Sequence, residues 1–245
     1  MVQYTLAAAK GSAYPPAMDA GMNDRAIPSS PTPLPIAVLL SGTGRTLANL
    51  LARIARGTLP AVVRVVVGTK AGLGGQAVAE GAGVPYHVIA RRQHEDSDAS
   101  SAAIWEALAP YEVRLVVLAG FLQPLRIPPA WQGRVVNIHP ALLPSFGGVG
   151  MYGRHVHAAV LAHGCKVSGC TVHLCDDTYD TGAIIAQQCV SVYDDDTPET
   201  LAARVFAAEC TLYPQVIAAF AAGRIRQDGQ RVTMIAETPP SPTKP

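Results

Sequence analysis

The chain has 245 residues, enough for one large α/β domain or two small ones, with ample material for a core. Apolar residues make up 49% of it and charged residues 15%, the composition of a compact folded protein rather than a disordered one. Formal net charge is +1 and the Lys and Arg residues are scattered, which excludes a basic footprint for nucleic acid or an anionic membrane and leaves a small-molecule partner.

In chain order, residues 1–33 mix Ala, Gly, Ser and Pro without sustained periodicity and are expected to form a flexible extension. Short β-branched runs at 36–40, 62–67, 86–89, 115–119 and 135–139 then alternate with helix-like segments at 46–56, 75–83, 99–108 and 154–163. That alternation predicts a mainly parallel, twisted sheet with helices on both faces, and the near-continuous apolar strands suit a sheet covered on both sides. Residues 170–175 and 184–192 read as two further strands, antiparallel, flanking a turn at Asp180. Residues 197–222 read as a long helix with Thr197 as cap, Pro198 at its first position and Gly223 closing it. One domain over 34–236 is therefore expected, followed by a disordered tail at 237–245. The longest apolar runs, such as 115–122, fall short of the ~20 residues that a membrane-spanning helix requires. No basic region precedes the short apolar stretch at 6–9 as a secretory signal would demand. Five cysteines, an odd number, suit a reducing compartment, and a cytoplasmic location is expected.

Two patterns carry chemistry. The strand at 135–139 ends Asn137-Ile138-His139 and is stopped by Pro140. Residues i and i+2 of a strand share a face, so Asn137 and His139 converge on one reacting centre while Ile138 packs behind. The loop Ser41-Gly42-Thr43-Gly44-Arg45-Thr46 joins the first strand to the first helix, where glycines let backbone N–H groups approach an anion and the helix N-terminus adds its positive dipole end. Arg45 strengthens a phosphate reading. The loop matches neither the full dinucleotide fingerprint nor the Walker loop.

Ser41-Gly-Thr-Gly-Arg-Thr-Leu47, Leu118-Ala-Gly-Phe121, Asn137-Ile-His-Pro-Ala-Leu-Leu-Pro144 and Asp180 before a glycine, in this order, together resemble the 10-formyltetrahydrofolate-dependent formyltransferases that act on glycinamide ribonucleotide. The resemblance spans roughly 35–230. It implies a Rossmann-like three-layer domain that moves a formyl group from 10-formyltetrahydrofolate, as co-substrate, to the amine of glycinamide ribonucleotide in purine biosynthesis, giving formylglycinamide ribonucleotide and tetrahydrofolate, with no metal. It also implies catalytic roles for Asn137, His139 and Asp180, phosphate binding by Gly44, Arg45 and Thr46, and a hold on the substrate amine by Glu209. Folate contacts are implied for Asn137, for Leu122, Gln123, Pro124 and Leu125, and for Asp176, Asp177, Thr178 and Tyr179. This sequence departs from the family where a Met-Arg pair is replaced by Leu122-Gln123, and where Asp-Gly-Gly has become Asp180-Thr181-Gly182, which is expected to narrow the backbone at Thr181. An arginine that contacts the folate tail in some relatives has no clear counterpart near 96–100.

The chemistry is consistent with those assignments. Attack of an amine on a formyl carbon creates an oxyanion that the Asn137 amide can stabilise, His139 can carry the proton between the two nitrogens, and Asp180 can orient the imidazole and favour its charged form. Cys165, Cys170 and Cys175, with His163 and His173, lack the close spacing of a zinc site. His155 and His157 on a helix diverge around its axis and are expected to sit separately, one of them near the substrate. The glycine-containing segment 146–153 is expected to close over the bound pair and exclude water. A formyltetrahydrofolate hydrolase is expected to carry an extra N-terminal domain, for which 33 residues are too few, and a methionyl-tRNA formyltransferase a further basic domain. A regulatory nucleotide-binding module would leave Asn137 and Asp180 unexplained.

Overall fold

The computed structural model describes residues 32–236. Its helices are α1 (Arg45–Ala55), α2 (Gly74–Gly81), α3 (Ser97–Leu108), α4 (Arg154–Ala162) and α5 (Pro198–Ala221). The strands are β1 (Leu34–Leu40), β2 (Ala61–Gly68), β3 (Tyr86–Val88), β4 (Leu115–Leu118), β5 (Val135–His139), β6 (Val167–Leu174), β7 (Ile184–Ser191), β8 (Ile225–Asp228) and β9 (Arg231–Met234). The tail at 237–245, and the extension at 1–33 apart from its last two residues, lie outside the described residues.

Seven strands form one sheet in the order β3-β2-β1-β4-β5-β6-β7. The pairs from β3 through β5 are parallel, and β6 runs antiparallel to both β5 and β7. Side-chain alternation divides the core. Ile36, Val38 and Leu40 of β1 face Leu47 and Leu50 of α1 and Val205, Leu212 and Val216 of α5. Ala37 and Leu39 face the other way, toward Ile104 and Leu108 of α3. Each leucine so buried stabilises the fold by about 1.5–3 kcal/mol, so β1 anchors both layers.

Local chemistry sets the helix ends. α3 begins two residues before the expected start because the Asp96 carboxylate accepts the Ala99 N–H at 2.7 Å. α5 opens on a reciprocal cap: the Thr200 N–H donates to Thr197 Oγ1 at 3.2 Å, and the Thr197 N–H to Thr200 Oγ1 at 2.9 Å. Gly223, at φ 64, ends it. The β8–β9 hairpin, turned at Gly229, was not among the expected elements, although its Asp228-Gly229 step is a turn signal.

The strand order reverses between β1 and β4, with β2 and β3 leaving on one side and β5 on the other. Their carboxyl ends therefore diverge into a crevice, the place where open α/β sheets bind ligands. The Ser41 N–H donates to Gly120 O at 2.9 Å and the Leu122 N–H to Ser41 Oγ at 3.0 Å, stitching the loop after β1 to the segment after β4. The two segments read from sequence as phosphate and folate contacts thus share one rim.

Candidate active site

The carboxyl end of β5 presents Asn137 and His139, with Ile138 packed into the core between them. Because β6 is antiparallel, it sets His173 opposite Asn137 and Thr171 opposite His139. The His173 Nδ1 lies 2.8 Å from Leu174 O, which can only accept, so Nδ1 carries the proton. Its bare Nε2 then accepts from Asn137 Nδ2 at 3.1 Å. This bond fixes which way the amide points and leaves its second N–H for the site. Thr171 donates to Ala141 O at 2.6 Å and accepts the Leu143 N–H at 3.0 Å, holding the chain just past His139.

Asp180 enters from the β6–β7 turn. Its backbone sits at φ 60, left-handed for a non-glycine residue, a conformation Asp tolerates better than most. The expected constraint at Thr181 therefore falls one position earlier: Thr181 is not left-handed, and its hydroxyl donates to Asp176 at 2.9 Å. Gly182 is needed for close approach instead, since a Cβ there would lie 1.8 Å from Leu174 O. The carboxylate accepts the Gly148 N–H at 2.9 Å and stands 3.4 Å from His139 Nδ1 and 3.5 Å from His173 Nε2. Burial works against its charge, but His173, His139 and the Gly148 N–H together hold its pKa below the usual carboxylate value.

His139 Nε2 donates to Phe146 O at 2.8 Å. Burial lowers its pKa, and the opposing pull of Asp180 and of the Phe146 carbonyl does not restore it. Asp180 does pull toward the charged ring, as expected, but desolvation outweighs that pull and the net shift is downward. His157 of α4 is buried as well, its pKa lowered by burial and by His139, and its Nδ1 has no partner among the described residues. An open cleft of about 520 Å³ runs past Asp180, Tyr179, Gly147 and Gly148.

The loop before α1 places Gly44 at φ 78, where a Cβ would lie 2.5 Å from Gly75 Cα, so α2 packs against the loop too closely for any other residue. Among the described residues no side chain caps α1, which leaves the N–H groups of its first turn, including Arg45 and Thr46, for an anion. The Arg45 guanidinium lies over the Phe206 ring of α5, 4.2 Å from its centre. One turn on, burial raises the Glu209 pKa to about 7 against the pull of Arg45. Of the remaining expected contacts, Asp177 Oδ1 accepts the Ile127 N–H at 3.1 Å, joining the turn at 176–179 to the chain two residues past the segment at 122–125. Leu122 and Tyr179 are exposed, Leu125 packs on the α3 side of the core, and the Gln123 amide reaches Ile89 O at 3.5 Å. Among the described residues no group of three or more His, Cys, Asp or Glu side chains is arranged to hold a metal.

Residues 34–217 match the family described as formyl transferase. The chain belongs to the formyl transferase family. It is 42% identical over 212 residues to the phosphoribosylglycinamide formyltransferase of Mycobacterium tuberculosis, covering 86% of this chain and 94% of that one. It is 41% identical over 199 residues to the chloroplastic phosphoribosylglycinamide formyltransferase of Arabidopsis thaliana, covering 79% of this chain and 68% of that one. Glycinamide ribonucleotide transformylase 1 from Symbiobacterium toebii superposes with a TM-score of 0.77 at 37% identity, over 83% of this chain and 94% of that one. In this formyltransferase the sequence motifs bring Asn137, His139 and Asp180 together but do not disclose His173. Its place as acceptor for the Asn137 amide depends on β6 running antiparallel beside β5. The signal available was the Thr171-Val172-His173 alternation, which puts a hydroxyl and an imidazole on one face.

Proposed function

We propose that the protein transfers the formyl group of 10-formyltetrahydrofolate to the amine of glycinamide ribonucleotide, within a domain spanning 34–236. The observation that carries this reading is the junction of two half-sites at the reversal of strand order: an anion-binding loop at 44–46, and the Asn137 amide, the His173 and His139 imidazoles and the Asp180 carboxylate linked in a chain of contacts at 3.1, 3.5 and 3.4 Å. Arg45 and the first-turn N–H groups take the phosphate, Glu209 holds the amine, and the segments at 122–125 and 176–179 take the folate.

The amine nitrogen attacks the formyl carbon, a C–N bond forms, and the carbonyl electron pair moves to oxygen. Asn137 Nδ2, its other N–H engaged by His173, donates to that oxyanion, which carries its charge only near the transition state. The proton leaving the amine passes through His139 to the folate nitrogen as its bond to the formyl carbon breaks. In the neutral ring Nδ1 has no proton, and its 3.4 Å separation from Asp180 is too long to be a strong hydrogen bond. Once the ring is charged the contact becomes an ion pair, so Asp180 acts when the proton is in transit.

The five free thiols favour the reducing environment of the cytoplasm as the place of action. No helix among the described residues is long and apolar enough to cross a membrane. Absorbance-monitored turnover of 10-formyltetrahydrofolate by the purified chain tests the reading. Turnover that requires glycinamide ribonucleotide, with formylglycinamide ribonucleotide as product, is expected. Equal turnover without the ribonucleotide would replace transfer by hydrolysis.

A further inference from the structure

The segment Glu209-Cys210-Thr211-Leu212-Tyr213-Pro214 of α5 contains more than its acidic residue. Tyr213 is fully buried, and its hydroxyl lies 2.9 Å from Leu118 O at the end of β4 and 2.9 Å from Val136 O in β5. A phenol has one proton, so the two carbonyls share it. Leu118 is the cross-strand partner of Asn137 at the last paired rung of β4 and β5, and Val136 is the residue just before Asn137. The hydroxyl therefore spans the seam where the two strands part and Asn137 enters the site. On the same turn, Pro214 has no N–H to give the carbonyl of Cys210 four residues earlier. That carbonyl accepts Asn49 Nδ2 of α1 at 3.1 Å instead. One turn of α5 thus touches the helix that follows the phosphate loop, carries Glu209, and braces the strand that carries Asn137.

Resting on the function proposed above, we infer that Tyr213 is a positioning residue for the formyl-transfer step: its shared hydroxyl fixes Asn137 at the distance from Glu209 that the attacking amine and the oxyanion require. The ring fills core volume in any case, and the hydroxyl is what adds register. An oxyanion donor must meet a charge whose position is set to within a few tenths of an ångström, and loss of one such donor costs about 10²–10³ in rate. Partial misplacement costs less, and costs it in kcat, because Asn137 is bound more strongly by the transition state than by the ground state.

The experiment is a double-mutant cycle between Tyr213→Phe and Asn137→Ala, with kcat and both KM values measured in the full chain. Tyr213→Phe is expected to lower kcat about tenfold with each KM unchanged within twofold, and to have no further effect in the Asn137→Ala background. Phe220→Leu, a buried change on the same helix away from the seam, loosens the core but is expected to leave kcat within twofold. Full activity of Tyr213→Phe, or an equal loss with and without the Asn137 amide, overturns the inference. So does a loss that Phe220→Leu reproduces. If Tyr213→Phe does not fold, fluorotyrosine incorporated at 213 keeps the shape and changes the donor strength, and an unchanged kcat there is equally fatal. A wild-type chain without ribonucleotide-dependent turnover removes the proposed function itself, a result distinct from an active wild type with an active Tyr213→Phe.

Discussion

Replacing Asp180 by Asn isolates the carboxylate charge at nearly constant shape. The backbone at φ 60 suits Asn as well as Asp, and the amide oxygen can still accept the Gly148 N–H. What is lost is attraction to the imidazolium that forms during transfer. At the observed 3.4 Å, with an effective dielectric of about 20, Coulomb's law gives about 5 kcal/mol. Both side chains are almost wholly buried, at 4% and 10% exposure, so solvent screens little of this. That figure is a ceiling of about 4,000-fold in rate, and reorientation of the Asn amide and of nearby water returns part of it. A loss of 10²–10³ in kcat is therefore expected, with KM for both substrates changed less than threefold, measured by steady-state turnover and checked by single-turnover rates. His139, already lowered by burial, loses its chief upward influence, so the acid limb of the pH–rate profile moves to lower pH. Near-normal kcat, or a loss confined to KM, would refute the reasoning.

Four further outcomes follow from the same geometry. Arg45→Ala is expected to raise KM for glycinamide ribonucleotide at least tenfold while folate affinity, measured by fluorescence titration, stays put; the reverse pattern removes the phosphate assignment. Glu209, neutral below its value of about 7, holds the substrate amine only when ionised, so KM for the ribonucleotide should climb as pH falls through that value and lose the dependence in Glu209→Gln. Because the folded pKa is raised, folding is favoured below about pH 4.5 and that advantage disappears as pH rises through about 7, so urea titration at pH 8 should find Glu209→Gln the more stable protein. His173→Ala frees the Asn137 amide to rotate and should lower kcat tens of times with little change in KM; wild-type kcat would show that the amide needs no such partner.

The parallel half of the fold was legible because its signals are local. Buried strands read as apolar runs, and Thr197-Pro198 marks a helix start by sterics and capping alone. The end of β5 was legible as well, since the spacing of Asn137 and His139 is a strand property that needs no tertiary contact. His173 was not, because its place depends on the chain reversing after α4 so that β6 pairs with β5 in one register. The lowering of His139 was also hidden: the sequence shows a carboxylate that should raise the pKa, but only the packed structure shows the larger desolvation that opposes it. The loss of a glycine points from sequence to Thr181 as the restricted position, whereas the turn geometry places the left-handed residue at Asp180. The β8–β9 hairpin is mostly polar and was masked by that polarity despite its Asp-Gly turn.

The most direct measurement is a crystal structure of the protein with glycinamide ribonucleotide and a non-transferring 10-formylfolate analogue. The account predicts the phosphate on the N–H groups of residues 44–46, and the formyl oxygen within about 3 Å of Asn137 Nδ2 on the side away from His173. A formyl group bound out of reach of both Asn137 and His139 would contradict it.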